Sequence, residues 1–127
     1  MKILLDTHIL LWAAAGQLPD AALSYIEDKK NTLLFSSASI WEIVIKRSLG
    51  RPDFIIDPAS FYSGLVGAGY KELMISSNHS LLAATLPNLH KDPFDRILIA
   101  QAALEEIPIL TFDALVAQYP GSIIHIE

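Results

Sequence analysis

Short apolar runs of strand length alternate with longer helical segments along the whole sequence, and this alternation constrains the fold most strongly. Strands are predicted over residues 2–5, 32–35, 72–75, 107–111 and 122–126. Helices are predicted through 9–12 and over 20–30, 40–49, 59–68, 76–86, from 93 onward and 114–119. Strands that alternate with helices build an α/β domain on a mostly parallel sheet. At 127 residues, the chain is long enough for one such domain and its core, so we predict a single domain over 1–127.

The helix that begins at residue 93 carries an unusually placed carboxylate. Asp92 has the residue type of an N-cap, and Pro93 suits the first helical position because its missing N–H is not needed there. Residues 97–100 and 102–104 are apolar on nearly every face, which predicts a buried helix. Asp95 lies in its first turn, and Arg96, the next residue, cannot share its helical face. Asp95 therefore needs partners from elsewhere in the fold.

The predicted sheet suggests where these partners lie. Asp6 directly follows the first strand, and Asp113 follows the strand that ends at Thr111. Glu42 and Asp95 lie in the early turns of helices, and helices that follow parallel strands begin at the carboxyl edge of the sheet. Ligands bind beyond this edge, near a topological switch point. The four acids are therefore predicted to converge on one pocket.

Three of these acids also have local structural explanations. Asp113 could cap the helix predicted over 114–119, and Asp95 in a first turn is favoured by the helix dipole. Glu42 could form a capping box with Ser39 or an i, i+4 ion pair with Lys46. Asp6 has no comparable explanation, and their shared edge of the sheet follows from none of these alternatives.

The composition favours metal chemistry on a phosphodiester. The net charge of −5 argues against a general electrostatic grip on nucleic acid, although the rest of the chain is nearly neutral once the four acids are set aside. Clustered carboxylates need raised pKa values or bound cations. Because the chain has no cysteine, the expected cation is Mg²⁺ or Mn²⁺ on oxygen ligands. Such a site activates water for in-line displacement at a phosphodiester, which is nucleic-acid hydrolysis.

Residues next to the acids are candidates for supporting roles. The hydroxyls of Thr7 and Thr111 could orient a carboxylate or a metal-bound water, or simply bond at a strand end. Basic side chains that could contact substrate phosphates are Lys46, Arg47 and Arg96, whereas Arg51 and Lys91 fit ordinary solvated charges better. The four histidines, His8, His79, His90 and His125, show no ligand spacing and are interpreted as surface or hydrogen-bonded residues.

The start of the sequence and its apolar fraction lead to expectations about cellular location and assembly. The chain does not begin with a signal-peptide pattern, and no apolar stretch approaches the ~20 residues of a membrane span, so a cytoplasmic protein is expected. Because 52% of residues are hydrophobic, we expect an apolar surface that covers a subunit or partner interface.

Four segments together resemble a known family. They are Leu4-Leu5-Asp6-Thr7-His8, residues 36–47 with Trp41-Glu42-Ile43, Leu89-His90-Lys91-Asp92-Pro93-Phe94-Asp95-Arg96 continuing through Ala102, and Thr111-Phe112-Asp113. The combination, which spans nearly the whole chain, is similar to PIN domains and specifically to the VapC-type toxin ribonucleases of bacterial toxin–antitoxin pairs. Any single segment would be a weak signal.

The resemblance implies a fold, a chemistry and partners. It implies a three-layer α/β/α sandwich, Mg²⁺ or Mn²⁺, single-stranded or loop RNA as substrate, homodimers, and inhibition by a cognate antitoxin. By resemblance, Asp6, Glu42, Asp95 and Asp113 occupy the positions of the acidic metal-binding quartet, and Thr111 that of its supporting hydroxyl. The expected activity is a metal-dependent endoribonuclease. The alternatives are a catalytically silent binding module of the same fold and an acidic-site phosphatase.

Overall fold

The protein forms a five-stranded, fully parallel sheet with the strand order β3-β2-β1-β4-β5. The computed structural model describes residues 1–50 and 55–127. The strands are β1 (Lys2–Leu5), β2 (Thr32–Ser36), β3 (Lys71–Leu73), β4 (Ile109–Thr111) and β5 (Ile123–His125). The helices are α1 (Thr7–Ala15), α2 (Asp20–Glu27), α3 (Ser37–Ser48), α4 (Pro58–Gly67), α5 (Ser77–Thr85) and α6 (Pro93–Glu105). The predicted α/β class with a parallel sheet is confirmed.

Helices cover both faces of the sheet, because successive β1 side chains point to opposite faces. Ile3 and Leu5 pack in one core with residues of α1 to α4, whereas Leu4 packs in a second core with Leu98 and other residues of α6. The side chains of Ile3, Leu4 and Leu5 are fully buried. The molecule is therefore a three-layer α/β/α sandwich, as predicted, and its central strand is apolar on both sides as parallel sheets require.

The topology places a switch point beside the end of β1. The chain moves outward from β1 to β2 and β3, then returns to add β4 and β5 on the other side of β1. The carboxyl ends of β1 and β4 are adjacent, and the backbone N–H of Asp6 donates to the carbonyl of Leu110 at 3.1 Å. A crevice of this kind is where open α/β sheets bind ligands.

Local capping explains where the helices begin. Asp92 accepts from the N–H of Phe94 and caps α6, with Pro93 following as predicted. Asp6 is itself a cap, because its Oδ1 accepts from the N–H of Ile9 at the start of α1. In α5, Ser76 and His79 form a reciprocal capping box. These caps satisfy backbone donors that a helix leaves unpaired at its start.

Two local predictions were wrong. The helix predicted over 114–119 is a single 3₁₀ turn, Val116–Gln118, because Pro120 and Gly121 follow at once and leave no room for an α-helical turn to continue. The helix predicted from residue 40 begins at Ser37, with the Ser36 hydroxyl accepting from the N–H of Ala38. Glu42 therefore lies beyond the first turn, and the capping box proposed with Ser39 does not form.

Smaller differences concern the ends of elements. The helix predicted over 20–30 ends at Glu27, and the strands predicted over 72–75, 107–111 and 122–126 are each shortened to three residues. The predicted loop over 50–58 includes residues 51–54, and Arg51 with it, which lie outside the described residues. Within the described ranges, no helix is long and apolar enough to cross a membrane.

Truncating the central strand will test the two-faced core. We expect Leu4→Ala to lower the free energy of unfolding by about 2–5 kcal/mol, since it leaves a cavity between β1 and α6. Leu81→Ala, which changes the same residue type on α5 where it is 69% exposed, should stay within about 0.5 kcal/mol. Urea unfolding curves measure both. Equal losses would contradict the assignment of Leu4 to the second core.

Candidate active site

The four predicted acids lie at one edge of the sheet and form a buried floor and an exposed rim. Asp6 and Glu42 are buried at 4% and 3% exposure. The side chains of Asp95 and Asp113 are 19% and 36% exposed. The floor is supplied by the end of β1 and by α3, and the rim by the start of α6 and the residues after β4.

Hydroxyl groups hold both floor carboxylates. Thr111 donates to Asp6 Oδ2, and the Thr111 oxygen accepts from the N–H of Asp113 at 3.0 Å. Thr7 donates to Glu42 Oε1 at 2.8 Å. Because the single hydroxyl proton of Thr7 is used on this carboxylate, the Ser39 hydroxyl, 2.8 Å away, must donate to Thr7. The sequence predicted supporting roles for Thr7 and Thr111 but not for Ser39, whose hydroxyl meets Thr7 at the start of α1.

The carboxylates influence one another electrostatically. The pKa of Asp95 is raised to about 7, mainly by burial and in addition by the charges of Asp92, Glu42 and Asp6, while the charge of His90 opposes the increase. Burial likewise raises the pKa of Asp6 against hydrogen bonds from Thr111 and Ile9 and the charge of His8, with a further upward contribution from Asp113. The acids therefore lie within electrostatic reach of one another.

The rim contains a histidine that the sequence reasoning did not associate with the acids. His90 Nε2 lies 2.9 Å from Asp113 Oδ2 and 2.9 Å from Asp95 Oδ2. Burial would raise the pKa of Asp113, but hydrogen bonds from His90 and from the N–H of Leu115 outweigh it and hold that pKa below its usual value. One feature of the sequence could have linked His90 to the acids: it lies two residues before Asp92, the cap of the helix that carries Asp95.

These groups fit a hard divalent cation. Ligand atoms of His90, Asp95 and Asp113 lie within 4.8 Å of one another, a spacing that could hold a metal ion. Carboxylate oxygens are the ligands that Mg²⁺ and Mn²⁺ prefer. A cation would also relieve the repulsion that raises the pKa of Asp95. The ion that binds is not determined by this donor set.

The three basic candidates are held in different ways. Lys46 Nζ lies 2.6 Å from Glu42 Oε2, the predicted i, i+4 pair. Arg47 donates to Asp57 on the exposed surface. Arg96 donates from both terminal nitrogens to carbonyl oxygens at the end of α5 and in the segment after it, among them Ala83 and Pro87. Its guanidinium therefore connects α6 to α5, and these bonds occupy the N–H groups that a substrate phosphate would need.

Comparison with protein families identifies the fold at sequence level. The family model described as PIN domain matches residues 3–121. The chain belongs to the PIN-domain family. A comparison with curated proteins gave no significant match.

Solved structures share the architecture of this PIN domain at low sequence identity. A chain of VapBC2 from Rickettsia felis, bound to a DNA fragment from its promoter, superposes with a TM-score of 0.76 at 17% identity, over 100% of both chains. A chain of VapBC-5 from Mycobacterium tuberculosis, a member of the VapBC family of toxin-antitoxin systems, gives 0.67 at 15% identity over 98% of both chains. At these identities the likeness shows the fold alone.

Neutralising Asp95 should stabilise the metal-free PIN domain. Because the folded pKa, about 7, exceeds the ordinary 3.8, ionisation costs folding free energy, and stability present below pH 3.8 is lost as pH rises to 7. At pH 8 in a chelator, Asp95→Asn should gain on the order of 1 kcal/mol, since solvent screens a partly exposed group. Thermal unfolding at pH 8 and pH 4 measures this gain.

A first-turn aspartate outside the cluster provides the control. Asp20→Asn in α2 removes an exposed acid from a helix start and should lower stability slightly, by loss of the dipole interaction. A stabilisation by Asp20→Asn equal to that by Asp95→Asn would contradict the attribution of the effect to crowding.

Proposed function

We propose that this PIN domain is a metal-dependent endoribonuclease and the toxin of a toxin–antitoxin pair. The observation that carries the proposal is the convergence of Asp6, Glu42, Asp95 and Asp113 at the switch point of a PIN-domain sheet. The fold likeness to chains from VapBC toxin-antitoxin systems supports the toxin assignment. That the substrate is RNA and that the chain is a VapC-type toxin rest on the family resemblance of the sequence.

In the proposed mechanism, the four carboxylates would hold one or two Mg²⁺ or Mn²⁺ ions, and such ions would supply charge stabilisation and activation of water. Thr111 and the N–H of Ile9 hold the two oxygens of Asp6, and Thr7 and Lys46 hold those of Glu42, so both carboxylates are oriented in advance. Lys46 stands beside Glu42 with its side chain 24% exposed, where it can reach a substrate phosphate. Exposed Arg47 is a second candidate for such a contact.

The distinction between ligand and cap gives a direct test of the site. Asp6→Asn retains a good N-cap for α1 but weakens metal binding, so we expect RNA cleavage to fall at least about 100-fold, beyond the 10–100-fold typical of residues that only support a ligand. RNA cleavage by Asp95→Asn should fall by the same factor. Cleavage of total RNA with Mn²⁺ is the measurement.

The matched control lies on the same helix as Asp95. Asp92→Asn keeps the bond to the N–H of Phe94, since asparagine caps as well as aspartate, and should retain cleavage. Undiminished cleavage by folded Asp6→Asn would refute the proposed site. A wild-type chain that binds no Mn²⁺ and cleaves no RNA would favour the silent binding module, which the convergent acids do not favour at present.

An apolar groove between α1 and α4 is our proposed seat for the antitoxin. Two adjoining cavities of about 270 and 310 Å³ share Ala14, Ser60 and Phe61. Small residues line the groove, including Ala13, Ala15, Gly64 and Ala68, and they allow close approach of another backbone. A groove of this kind takes the apolar face of an amphipathic helix. The proposed occupant is an apolar helix of the cognate antitoxin.

Filling the groove should block this partner without disturbing the fold. A Cβ at Gly64 meets no atom within 4 Å and the residue has no positive φ, so Gly64→Phe can begin its side chain there without a backbone clash and place a ring at the groove. We expect at least a 10-fold weaker antitoxin affinity, by calorimetry with the purified partner, and unchanged RNA cleavage. The control Gly67→Phe, also open on α4 but outside the groove lining, should bind normally. Equal binding by both variants would remove this groove as the antitoxin seat.

The homodimer and the cytoplasmic location implied at the outset stay predictions. Exposed apolar side chains that follow β3, namely Met74 and Ile75, are candidates for a subunit contact. Light scattering of the purified chain measures its oligomeric state.

A further inference from the structure

His90 lies between the two rim carboxylates without belonging to the acidic quartet. Its side chain is 13% exposed, in the segment that joins α5 to α6. The ring nitrogen Nε2 lies 2.9 Å from oxygens of both Asp95 and Asp113, and the bond to Asp113 also has good hydrogen-bond geometry. In this position the imidazole could act either as a metal ligand or as a hydrogen-bond donor, and these two roles require opposite states of Nε2.

The other ring nitrogen decides between these roles. The backbone N–H of Asp92 donates to His90 Nδ1 at 3.1 Å. An N–H can donate only to a nitrogen that presents a lone pair, so Nδ1 carries no proton. The proton of the neutral ring is therefore on Nε2. In this tautomer Nε2 donates to Asp113, faces Asp95 at 2.9 Å, and has no lone pair for a metal ion.

The ring is held in this orientation by its own backbone. The N–H of His90 donates to the hydroxyl of Tyr119 at 2.8 Å, and Arg96 donates to the carbonyl of His90 at 3.4 Å. Asp92, whose N–H fixes the tautomer, is also the N-cap of α6. The helix start that carries Asp95 therefore also sets the orientation of the imidazole that faces it.

Asp113 depends on this donor more than the other acids do. It is the most exposed of the four and lies in a segment with only a single 3₁₀ turn. The N–H of Leu115 holds Oδ1 at 2.8 Å, and His90 Nε2 holds Oδ2 at 2.9 Å. Each carboxylate oxygen keeps a second lone pair. Both oxygens can therefore be oriented by nitrogen donors and still bind a cation.

We propose that His90 is a positioning residue whose Nε2–H holds Asp113 beside Asp95 in the arrangement that binds the divalent cation, without ligating the cation itself. The proposal rests on the proposed metal-dependent function and adds a residue to it. The N–H also separates two carboxylates that would otherwise repel each other, so the pair is assembled before a cation binds.

Two substitutions separate a donor from a merely space-filling ring. His90→Phe keeps a planar ring without a donor, and we expect Mn²⁺ to bind about 10–100-fold more weakly by calorimetry, the usual loss for a group that orients a ligand. His90→Gln places an amide N–H near the position of Nε2 and should recover most of the affinity. His125→Phe, which replaces an exposed histidine bonded to the Phe112 carbonyl, is the control and should bind as wild type.

Spectroscopy of the wild-type chain tests the tautomer and the ligand set directly. Nitrogen NMR of the metal-free protein should show His90 Nε2 protonated and Nδ1 unprotonated. Electron spin-echo spectra of the Mn²⁺ complex should show no directly coordinated imidazole nitrogen. A coordinated nitrogen that disappears in folded His90→Gln, or a proton on His90 Nδ1, would overturn the proposal, and the second measurement needs no variant.

The outcomes separate this inference from the proposed function. If wild type binds Mn²⁺ and folded His90→Phe binds it equally well, the positioning role is wrong and the metal site stands. If wild type binds no Mn²⁺, the proposed function and this inference fail together. Circular dichroism and thermal unfolding verify that each variant is folded, and His90→Ala replaces His90→Phe if the larger ring prevents folding.

Discussion

The hydroxyl of Thr111 is the interaction on which the architecture of the site depends. It donates to Asp6 at the end of β1 and accepts from the backbone N–H of Asp113 beyond β4. One side chain thus connects the carboxylate on the floor with the segment that carries a rim carboxylate. This connection is possible only because β1 and β4 are neighbours at the switch point of the sheet. The buried Thr111 side chain therefore links the strand pairing of the sheet to the positions of two acids of the site.

Hydrogen-bond donors around the site offset the cost of burying two carboxylates close together. Asp6 and Glu42 are buried, and burial of carboxylates is costly unless donors compensate it. Thr7 and Lys46 supply donors to Glu42, while Ile9 and Thr111 supply them to Asp6. Asp95 receives less help, and its pKa is raised to about 7. The pKa of Asp6 is raised as well, so a bound cation would stabilise one carboxylate of the floor and one of the rim.

The sequence allowed the sheet and its acidic edge to be predicted because both follow from periodic, local signals. Apolar runs identified the strands, and Asp92-Pro93 identified the start of α6 at the correct residue. The start of α3 was misplaced because Ser36, Ser37 and Ser39 are all acceptable caps, and only packing selects Ser36. The prediction of a final helix was wrong because a favourable cap at Asp113 does not make a helix when Pro120 ends the segment after a single 3₁₀ turn.

The contacts of His90 with the acids could not be predicted from residue spacing in the sequence. Its two carboxylate partners lie five and 23 positions further along the sequence, and they meet it only after α6 has docked against the sheet. Its tautomer is set by the N–H of Asp92, a backbone group that carries no sequence signal at all. The sequence indicates which residues bear the charges. The hydrogen bonds that orient those charges arise from the tertiary fold, and they decide that this histidine faces the acids as a donor.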